Sequence, residues 1–154
     1  MENLQIKVDD LSSSDIAELL ALHYQRMREV SPPESCHVFN IDELRQANVT
    51  VWSAREGNEL LGCIALKELN SLSGEIKSMK TSEANLRKGI GEILLNHLHG
   101  VAKRRNYKFL YLETGSMKYF EPARKLYERH GFKFCSPFSE YVEDPNSVFM
   151  SKNI

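Results

Sequence analysis

Apolar and polar residues alternate along several short segments of the chain, and this two-residue period predicts strands with one buried face. Residues 49–55 and 60–69 are two such segments, and the turn-forming residues 56–59 between them predict a β-hairpin. A second turn at 70–74 leads into segment 75–81, so three successive strands are expected to run antiparallel. The other predicted strands are 4–8, 107–112, 132–135 and 147–150.

In other segments the apolar residues recur every three or four positions, which predicts helices with one buried face. The first helix is predicted from Ser12 to about Glu29, with Asp15 completing a capping box on Ser12. The other predicted helices are a short one at 40–46 capped by Asn40 or Asp42, one at 90–105, and one that starts near Pro122 and stops at His130 and Gly131. Together these patterns predict a single α/β (α+β) domain spanning residues 1–154, with a mixed sheet and about four helices.

The composition narrows the class of protein. Hydrophobic residues make up 42% of the 154 residues, enough for a core, and the formal net charge of -1 argues against nucleic acid as a partner. Cys36, Cys63 and Cys135 are widely spaced and form no CxxC pair, so neither a disulfide framework nor a metal site is expected. Residues 1–10 lack the apolar stretch of a signal peptide, and no apolar run approaches the roughly 20 residues that span a bilayer. We therefore expect a cytoplasmic protein without membrane contact.

A loop with two glycines, at residues 86–91, joins a predicted strand to an amphipathic helix. The first turn of a helix presents unpaired N–H groups and the positive end of the helix dipole, which together favour an anion. Gly89 and Gly91 would let the backbone approach a phosphate closely, and Arg87 and Lys88 add positive charge. The alternative is that the glycines only make a tight turn. Leu94 stands where the dinucleotide-binding motif needs its third glycine, so that motif is excluded.

Three segments, in this order and spacing, resemble motifs of the GNAT N-acetyltransferase family. Residues 75–81 resemble the family's fourth strand, residues 86–91 its pyrophosphate loop, and residues 123–132 the signature of its last helix. The resemblance runs from Leu4 to Met150 and implies a mixed, mostly antiparallel twisted sheet that is splayed between its fourth and fifth strands. It also implies that the protein transfers an acetyl group from acetyl-CoA to an amine, without a metal.

The same resemblance implies which positions hold the coenzyme. The backbone of Met79 and Thr81 would pair with the pantetheine arm, as a peptide pairs with a sheet edge. Two positions depart from the family's pattern: Leu86 stands where Gln or Arg is usual, and Phe120 where many members have Asn. The positions implied to bind the coenzyme are Met79, Thr81, Leu86, Arg87, Lys88, Gly89, Ile90, Gly91, Glu92 and Phe120.

Three residues are candidates for the proton transfers that acetylation of an amine requires. The resemblance implies that the Tyr127 hydroxyl protonates the leaving thiolate, although an aromatic residue on an amphipathic helix is also a normal core residue. Glu75 and Glu113 lie on two predicted neighbouring strands and are candidate general bases. Glu75 is slightly favoured because it opens the strand expected to carry the coenzyme. For either residue the alternative is a solvated carboxylate.

The acceptor is the least determined part of the prediction. Residues 31–37 (SPPESCH) and 112–115 resemble a bacterial branch of uncharacterised acetyltransferases, which favours a small-molecule amine without naming it. The candidate acceptor-binding residues are Glu34, Ser35, His37 and Thr114, and the alternative is that they form an ordinary surface loop. A second hypothesis is a module that binds acetyl-CoA as a sensor with little turnover. A homodimer is also compatible with the resemblance.

Overall fold

The computed structural model describes residues 3–154, and within that range it contains seven strands and four α-helices. The strands are β1 (Leu4–Val8), β2 (Val49–Glu56), β3 (Glu59–Asn70), β4 (Ser73–Thr81), β5 (Phe109–Gly115), β6 (Lys133–Cys135) and β7 (Ser147–Asn153). The helices are α1 (Ser14–Val30), α2 (Ile41–Leu44), α3 (Ile90–Arg104) and α4 (Glu121–Arg129). All seven strands form one mixed sheet in the order β1-β2-β3-β4-β5-β7-β6, as the α/β prediction requires. None of the helices described is long and apolar enough to cross a membrane.

The predicted splay of the sheet is confirmed between β4 and β5. These two strands are parallel neighbours, and their paired residues run from Ser73 opposite Phe109 to Ile76 opposite Leu112. Both strands continue past this point without pairing to each other. Ser78 adopts a left-handed conformation (φ 48°) where the β3–β4 register shifts, which is the geometry of a β-bulge. The bulge turns the end of β4 at the place where the two strands separate.

Helices cover both faces of the sheet. Strand β3 shows this, because its alternate residues point to opposite sides and contact different helices. Ile64 belongs to a hydrophobic cluster with Leu94 of α3 and Tyr127 of α4. Its neighbour Cys63 belongs to a second cluster with Ile16 of α1. The gap between β4 and β5 therefore lies between two helical layers.

One predicted helix cap is wrong. The N-cap of α1 is Ser13, without a side-chain cap bond, and the hydroxyl of Ser12 donates instead to Asp10. Asp15 does not complete a capping box, because its carboxylate accepts two hydrogen bonds, of 2.5 and 2.9 Å, from the guanidinium of Arg55. A bidentate pair of opposite charges is stronger than a neutral cap bond. The carboxylate therefore turns toward β2.

The predicted element boundaries are off by a few residues in the second half of the sheet. β5 begins two residues later than expected, because the Tyr107 ring is buried in the core and its hydroxyl donates to the exposed Glu68 at 2.5 Å. β4 begins at Ser73, so Glu75 is an interior residue of the strand. For α2, the capping box of Asn40 with Glu43 confirms Asn40 as the N-cap.

Candidate active site

A cleft of about 340 Å³ opens where β4 and β5 separate. Its walls come from α1, the segment between α1 and α2, the ends of β4 and β5, the start of α4, and the segment that precedes β7. Past Ile76 the edge of β4 that faces β5 carries no strand partner, so its backbone groups are open to an extended ligand. Met79 and Thr81 belong to this open stretch, and Met79 lines the cleft.

The loop that precedes α3 has the geometry of an anion site. Arg87 and Gly89 are both left-handed (φ 65° and 80°), and Gly89 is the N-cap of the helix. Among residues 3–154, no carbonyl or side-chain oxygen accepts a hydrogen bond from the N–H groups of Arg87 to Glu92. These donors meet at the positive end of a 15-residue helix, so they can hold a phosphate group.

The side chains of this loop leave the backbone accessible. Lys88 reaches back to the Asn85 side chain at 3.3 Å, and Leu86 is 52% exposed. A Cβ added at Gly89 would meet nothing within 4 Å, and one at Gly91 would meet the Leu126 side chain at 3.4 Å. The protein therefore has room for side chains at both glycines. At Gly89 the left-handed backbone would strain any L side chain, which is a conformational reason for glycine, whereas at Gly91 no steric reason for glycine is seen.

Tyr127 lines the cleft from α4 and is 7% exposed. Its ring packs against Phe132 with the centroids 5.9 Å apart. Its hydroxyl has no hydrogen-bond partner among the residues described. Burial raises the pKa of Tyr127, and the negative charge of Glu113 adds a smaller increase. The hydroxyl is therefore protonated at neutral pH and free to donate.

Glu113 lies on β5, just beyond the last residue paired with β4, and lines the same cleft. Burial raises the pKa of its carboxyl to about 7, and the charge of Lys77 opposes that shift. At neutral pH the carboxyl is therefore about half ionised, which is the range in which a general base is effective.

Glu75 lies on the paired part of β4, opposite Tyr111, and does not line the cleft. It is 2% exposed and its carboxylate is engaged: the Tyr141 hydroxyl donates to it at 2.5 Å, and the Lys77 ammonium lies 3.5 Å away. The same ammonium donates to the Tyr141 hydroxyl at 3.1 Å and to the backbone oxygen of His37 at 2.9 Å. Of the two candidate bases, only Glu113 meets the cleft.

The segment between α1 and α2 and the segment that precedes β7 both line the cleft, and they are hydrogen-bonded to each other. The hydroxyl of Ser35 donates to Asp144 at 2.6 Å and accepts from Asn146 at 3.4 Å. His37 packs edge-on against Tyr141 with ring centroids 5.0 Å apart, and burial lowers the pKa of His37, with the charge of Lys77 adding to the effect. The predicted acceptor residues Ser35, His37 and Thr114 line the cleft, whereas the exposed side chain of Glu34 lies outside it.

A sequence model of the Acetyltransferase (GNAT) family matches residues 14–132. The chain belongs to this family. It is an acyltransferase, and acetyl-CoA is its co-substrate. Membership confirms the predicted resemblance, and the open edge of β4 and the free N–H groups before α3 stand where that resemblance implies a coenzyme.

Similar proteins support the same assignment along the whole chain. The chain is 52% identical over 151 residues to the uncharacterized N-acetyltransferase YsnE of Bacillus subtilis, covering 98% of this chain and 100% of that protein. It is 43% identical over 146 residues to the uncharacterized N-acetyltransferase YedL of Escherichia coli, covering 95% and 92%. A GNAT family acetyltransferase from Elizabethkingia anophelis, solved with acetyl-CoA bound, has the same fold (TM-score 0.75, 21% identity, 100% of both chains).

The departure of this chain from the family's pattern at Phe120 has a structural consequence. The ring of Phe120 is 9% exposed and packs against Gly115, where an added Cβ would lie 2.1 Å from a ring carbon. Phe120 therefore serves as an apolar wall of the cleft at the end of β5. Leu86, the other departure, presents an exposed apolar side chain at the mouth.

Sequence reasoning missed several polar residues of this GNAT site. Four of them line the cleft: His23, Lys77, Lys80 and Asn146. Tyr141 lies outside the lining and donates a hydrogen bond to Glu75. The sequence held a local indication for Lys77, because it lies two residues after Glu75 on a strand, so the two opposite charges project to the same face. Within residues 3–154, no three His, Cys, Asp or Glu side chains are grouped so that they could hold a metal ion.

Proposed function

We propose that this GNAT protein transfers the acetyl group of acetyl-CoA directly to the amine of a small molecule. The observation that carries the proposal is the pairing of two groups in one cleft. A protonated, unpartnered Tyr127 hydroxyl and a Glu113 carboxyl with a pKa of about 7 face the same space. An acid and a base of this kind are what acyl transfer to an amine requires.

The coenzyme is proposed to bind along the open end of β4. Its pyrophosphate accepts hydrogen bonds from the free N–H groups between Arg87 and Glu92, and Arg87 and Lys88 add positive charge. Its pantetheine arm pairs with the backbone of Met79 and Thr81 as an added strand would. This arrangement directs the thioester into the cleft, toward Tyr127.

Glu113 is proposed as the general base in preference to Glu75, whose carboxylate is already held by Lys77 and Tyr141. A lysine-like amine has an ordinary pKa of about 10.4 and arrives as an ammonium ion, so a proton must leave before the nitrogen lone pair can attack. The amine nitrogen then bonds to the thioester carbon. A backbone N–H beside the bulge at Ser78 is the candidate donor to the oxyanion.

Collapse of the tetrahedral intermediate breaks the carbon–sulfur bond. The Tyr127 hydroxyl donates its proton to the leaving sulfur, and the tyrosinate is reprotonated by way of the proton that left the amine. The ammonium gives up two protons in all: one restores the Tyr127 hydroxyl and the other leaves to solvent. The products are an N-acetyl compound, CoA thiol and a proton, so no further reactant is needed. A free hydroxyl at this position favours turnover over a role as an acetyl-CoA sensor.

The size of the cleft supports a small acceptor. Its volume of about 340 Å³ must hold the acetyl group and the end of the pantetheine arm as well as the acceptor. The hydrogen bond between Ser35 and Asp144 joins two of the segments that line the cleft, which limits how far they can separate for a larger substrate. We also propose a cytoplasmic location, because Cys36, Cys63 and Cys135 are all free thiols. Whether the protein is a homodimer stays a prediction.

The first experiment is a calorimetric titration of acetyl-CoA into wild-type protein and two variants. Gly91→Glu adds a negative charge at the proposed phosphate site, and Gly100→Glu adds the same side chain farther along the same helix, beside Arg104. We expect micromolar binding to wild type and to Gly100→Glu, and a loss of about tenfold or more for Gly91→Glu. Release of CoA thiol with a panel of small amines then tests turnover. A wild-type protein that does not bind acetyl-CoA would overturn the proposal.

A further inference from the structure

The cleft contains a cation with no counterion. Lys80 lines the cleft, and among residues 3–154 no carboxylate lies within ion-pair distance of its ammonium. It stands opposite Cys63 in the β3–β4 register, and residues directly opposite each other project to the same face of a sheet. Since Cys63 belongs to the cluster under α1, the Lys80 side chain lies on the α1 side, away from the proposed phosphate site. By contrast, Lys77 is neutralised by Glu75.

A second polar side chain of the cleft, close to Lys80, also lacks a partner. His23 of α1 lines it, and neither ring nitrogen is hydrogen-bonded to any residue described. Burial lowers the pKa of His23 to about 4, with a smaller contribution from the charge of Lys80. The ring is therefore neutral throughout the physiological pH range. The residue is partly exposed, but its Nδ1 atom is buried, and a buried polar atom without a partner is costly unless a ligand supplies one. A neutral imidazole can donate one N–H bond to such a ligand.

The charges of the cleft are therefore arranged as a pair of opposite signs. Lys80 is positive on the β4 wall, and Glu113, when ionised, is negative on the β5 wall. On its other side Lys80 borders a surface groove of about 580 Å³, where four carboxylates outnumber the one further cation, Arg26, so an anion is disfavoured there relative to the cleft. A molecule with an ammonium group and a carboxylate would match both charges.

We infer that the acceptor is an amino acid or a similar amino carboxylate, and that Lys80 and His23 bind its carboxylate while its amine faces Glu113. The inference rests on the proposed function and specifies its acceptor. Lys80 supplies the charge and His23 supplies a hydrogen bond, and neither takes part in the bond changes at the thioester. Both are therefore specificity-determining residues, and their loss should affect substrates that carry the carboxylate and spare those that lack it.

The test compares each proteinogenic amino acid with the amine formed by its decarboxylation, so the two members of a pair differ by one carboxylate. Release of CoA thiol gives kcat and KM for each. In the best pair, we expect kcat/KM for the amino acid to exceed that for the amine by about tenfold or more, the usual worth of a charge-assisted bond. Lys80→Met should remove this preference by raising KM for the amino acid, with little change for the amine. Lys7→Met, which removes the same charge from the exposed face of β1, should change neither.

His23 is tested by two variants that differ in hydrogen bonding. His23→Met should raise KM for the amino acid about tenfold, whereas His23→Gln retains a donor and should restore most of the loss. A decarboxylated amine used as well as its amino acid, or equal losses for both in Lys80→Met, would overturn the inference and leave the acetyltransferase proposal standing. A protein that binds acetyl-CoA but acetylates no amino acid would also overturn it. Absence of acetyl-CoA binding would instead overturn the proposed function.

Discussion

The Tyr141 hydroxyl donates a hydrogen bond of 2.5 Å to Glu75, although the two residues are 66 positions apart in the chain. Lys77 completes the cluster by bonding to Tyr141 and to the backbone oxygen of His37. The cluster thus joins β4 to the segments that close over the cleft from both sides. The cluster is a structural tie between β4 and these two connecting segments, which explains how they are held in one arrangement.

This tie predicts a large coupling between Glu75 and Lys77. Glu75→Gln should lower the free energy of unfolding by about 3–5 kcal/mol, because the ammonium of Lys77 is left buried without a counterion. The double variant Glu75→Gln/Lys77→Met should recover most of that loss, because no charge is then buried. Urea denaturation of the wild type, both single variants and the double variant measures the coupling. Additive losses would show that the two residues do not act as a pair.

The raised pKa of Glu113 predicts a stability that depends on pH. Its carboxyl titrates at about 7 in the folded protein and at about 4.5 when unperturbed, so the protonated form is the one that folding favours. The stabilising contribution is complete below pH 4.5 and is lost as the pH rises to about 7. Relative to Glu113→Gln, wild type should therefore lose about 2–3 kcal/mol between pH 4.5 and pH 8. Urea denaturation at both pH values checks this; a constant difference between the two proteins would contradict the raised pKa.

Tyr127 is expected to matter for turnover and not for stability. Tyr127→Phe should lower kcat about tenfold to a hundredfold, because the proposed proton donor is lost. Its stability and its affinity for acetyl-CoA should stay near wild type, since the hydroxyl has no partner in the protein. Tyr107→Phe is the matched control: it removes a hydroxyl bonded to Glu68 and should cost about 1 kcal/mol of stability without lowering kcat. Unchanged kcat in Tyr127→Phe, with chemistry rate-limiting, would remove the acid role.

The contact between Gly115 and Phe120 predicts opposite signs for the same substitution at two glycines. Gly115→Ala should destabilise the protein by about 1–3 kcal/mol, because the new methyl group would overlap the Phe120 ring. Gly100→Ala should stabilise it by about 0.5–1 kcal/mol, because Gly100 is an interior position of α3 that faces only the flexible end of Arg104. Thermal melting of both variants measures the two changes in stability. A smaller loss for Gly115→Ala in a Phe120→Leu background would identify the ring as the cause.

Local patterns predicted those parts of the fold in which neighbours along the chain decide the structure. The alternation in residues 49–69 produces the β2–β3 hairpin, and Asn40 caps α2 through Glu43, three residues away. The Ser12–Asp15 cap was wrong because Arg55, 40 positions from Asp15, offered a stronger partner. The start of β5 was misjudged for the same kind of reason, since Tyr107 is held by Glu68 on β3. Contacts between residues this far apart in the chain cannot be predicted from the pattern of a short segment.

The sequence by itself determined the order of the elements, the glycine loop before α3 and the family motifs, because periodicity and backbone freedom are properties of short segments. It slightly favoured Glu75 over Glu113 as the base, because Glu75 opens the strand expected to carry the coenzyme, but it held no information on the surroundings of either carboxylate. Only the tertiary structure gave them different surroundings: Glu75 is buried against Lys77 and Tyr141, and Glu113 lines the cleft. It also brought Lys80 and His23 together from β4 and α1. Burial and charge environment depend on segments far apart in the chain, so only the folded protein fixes them.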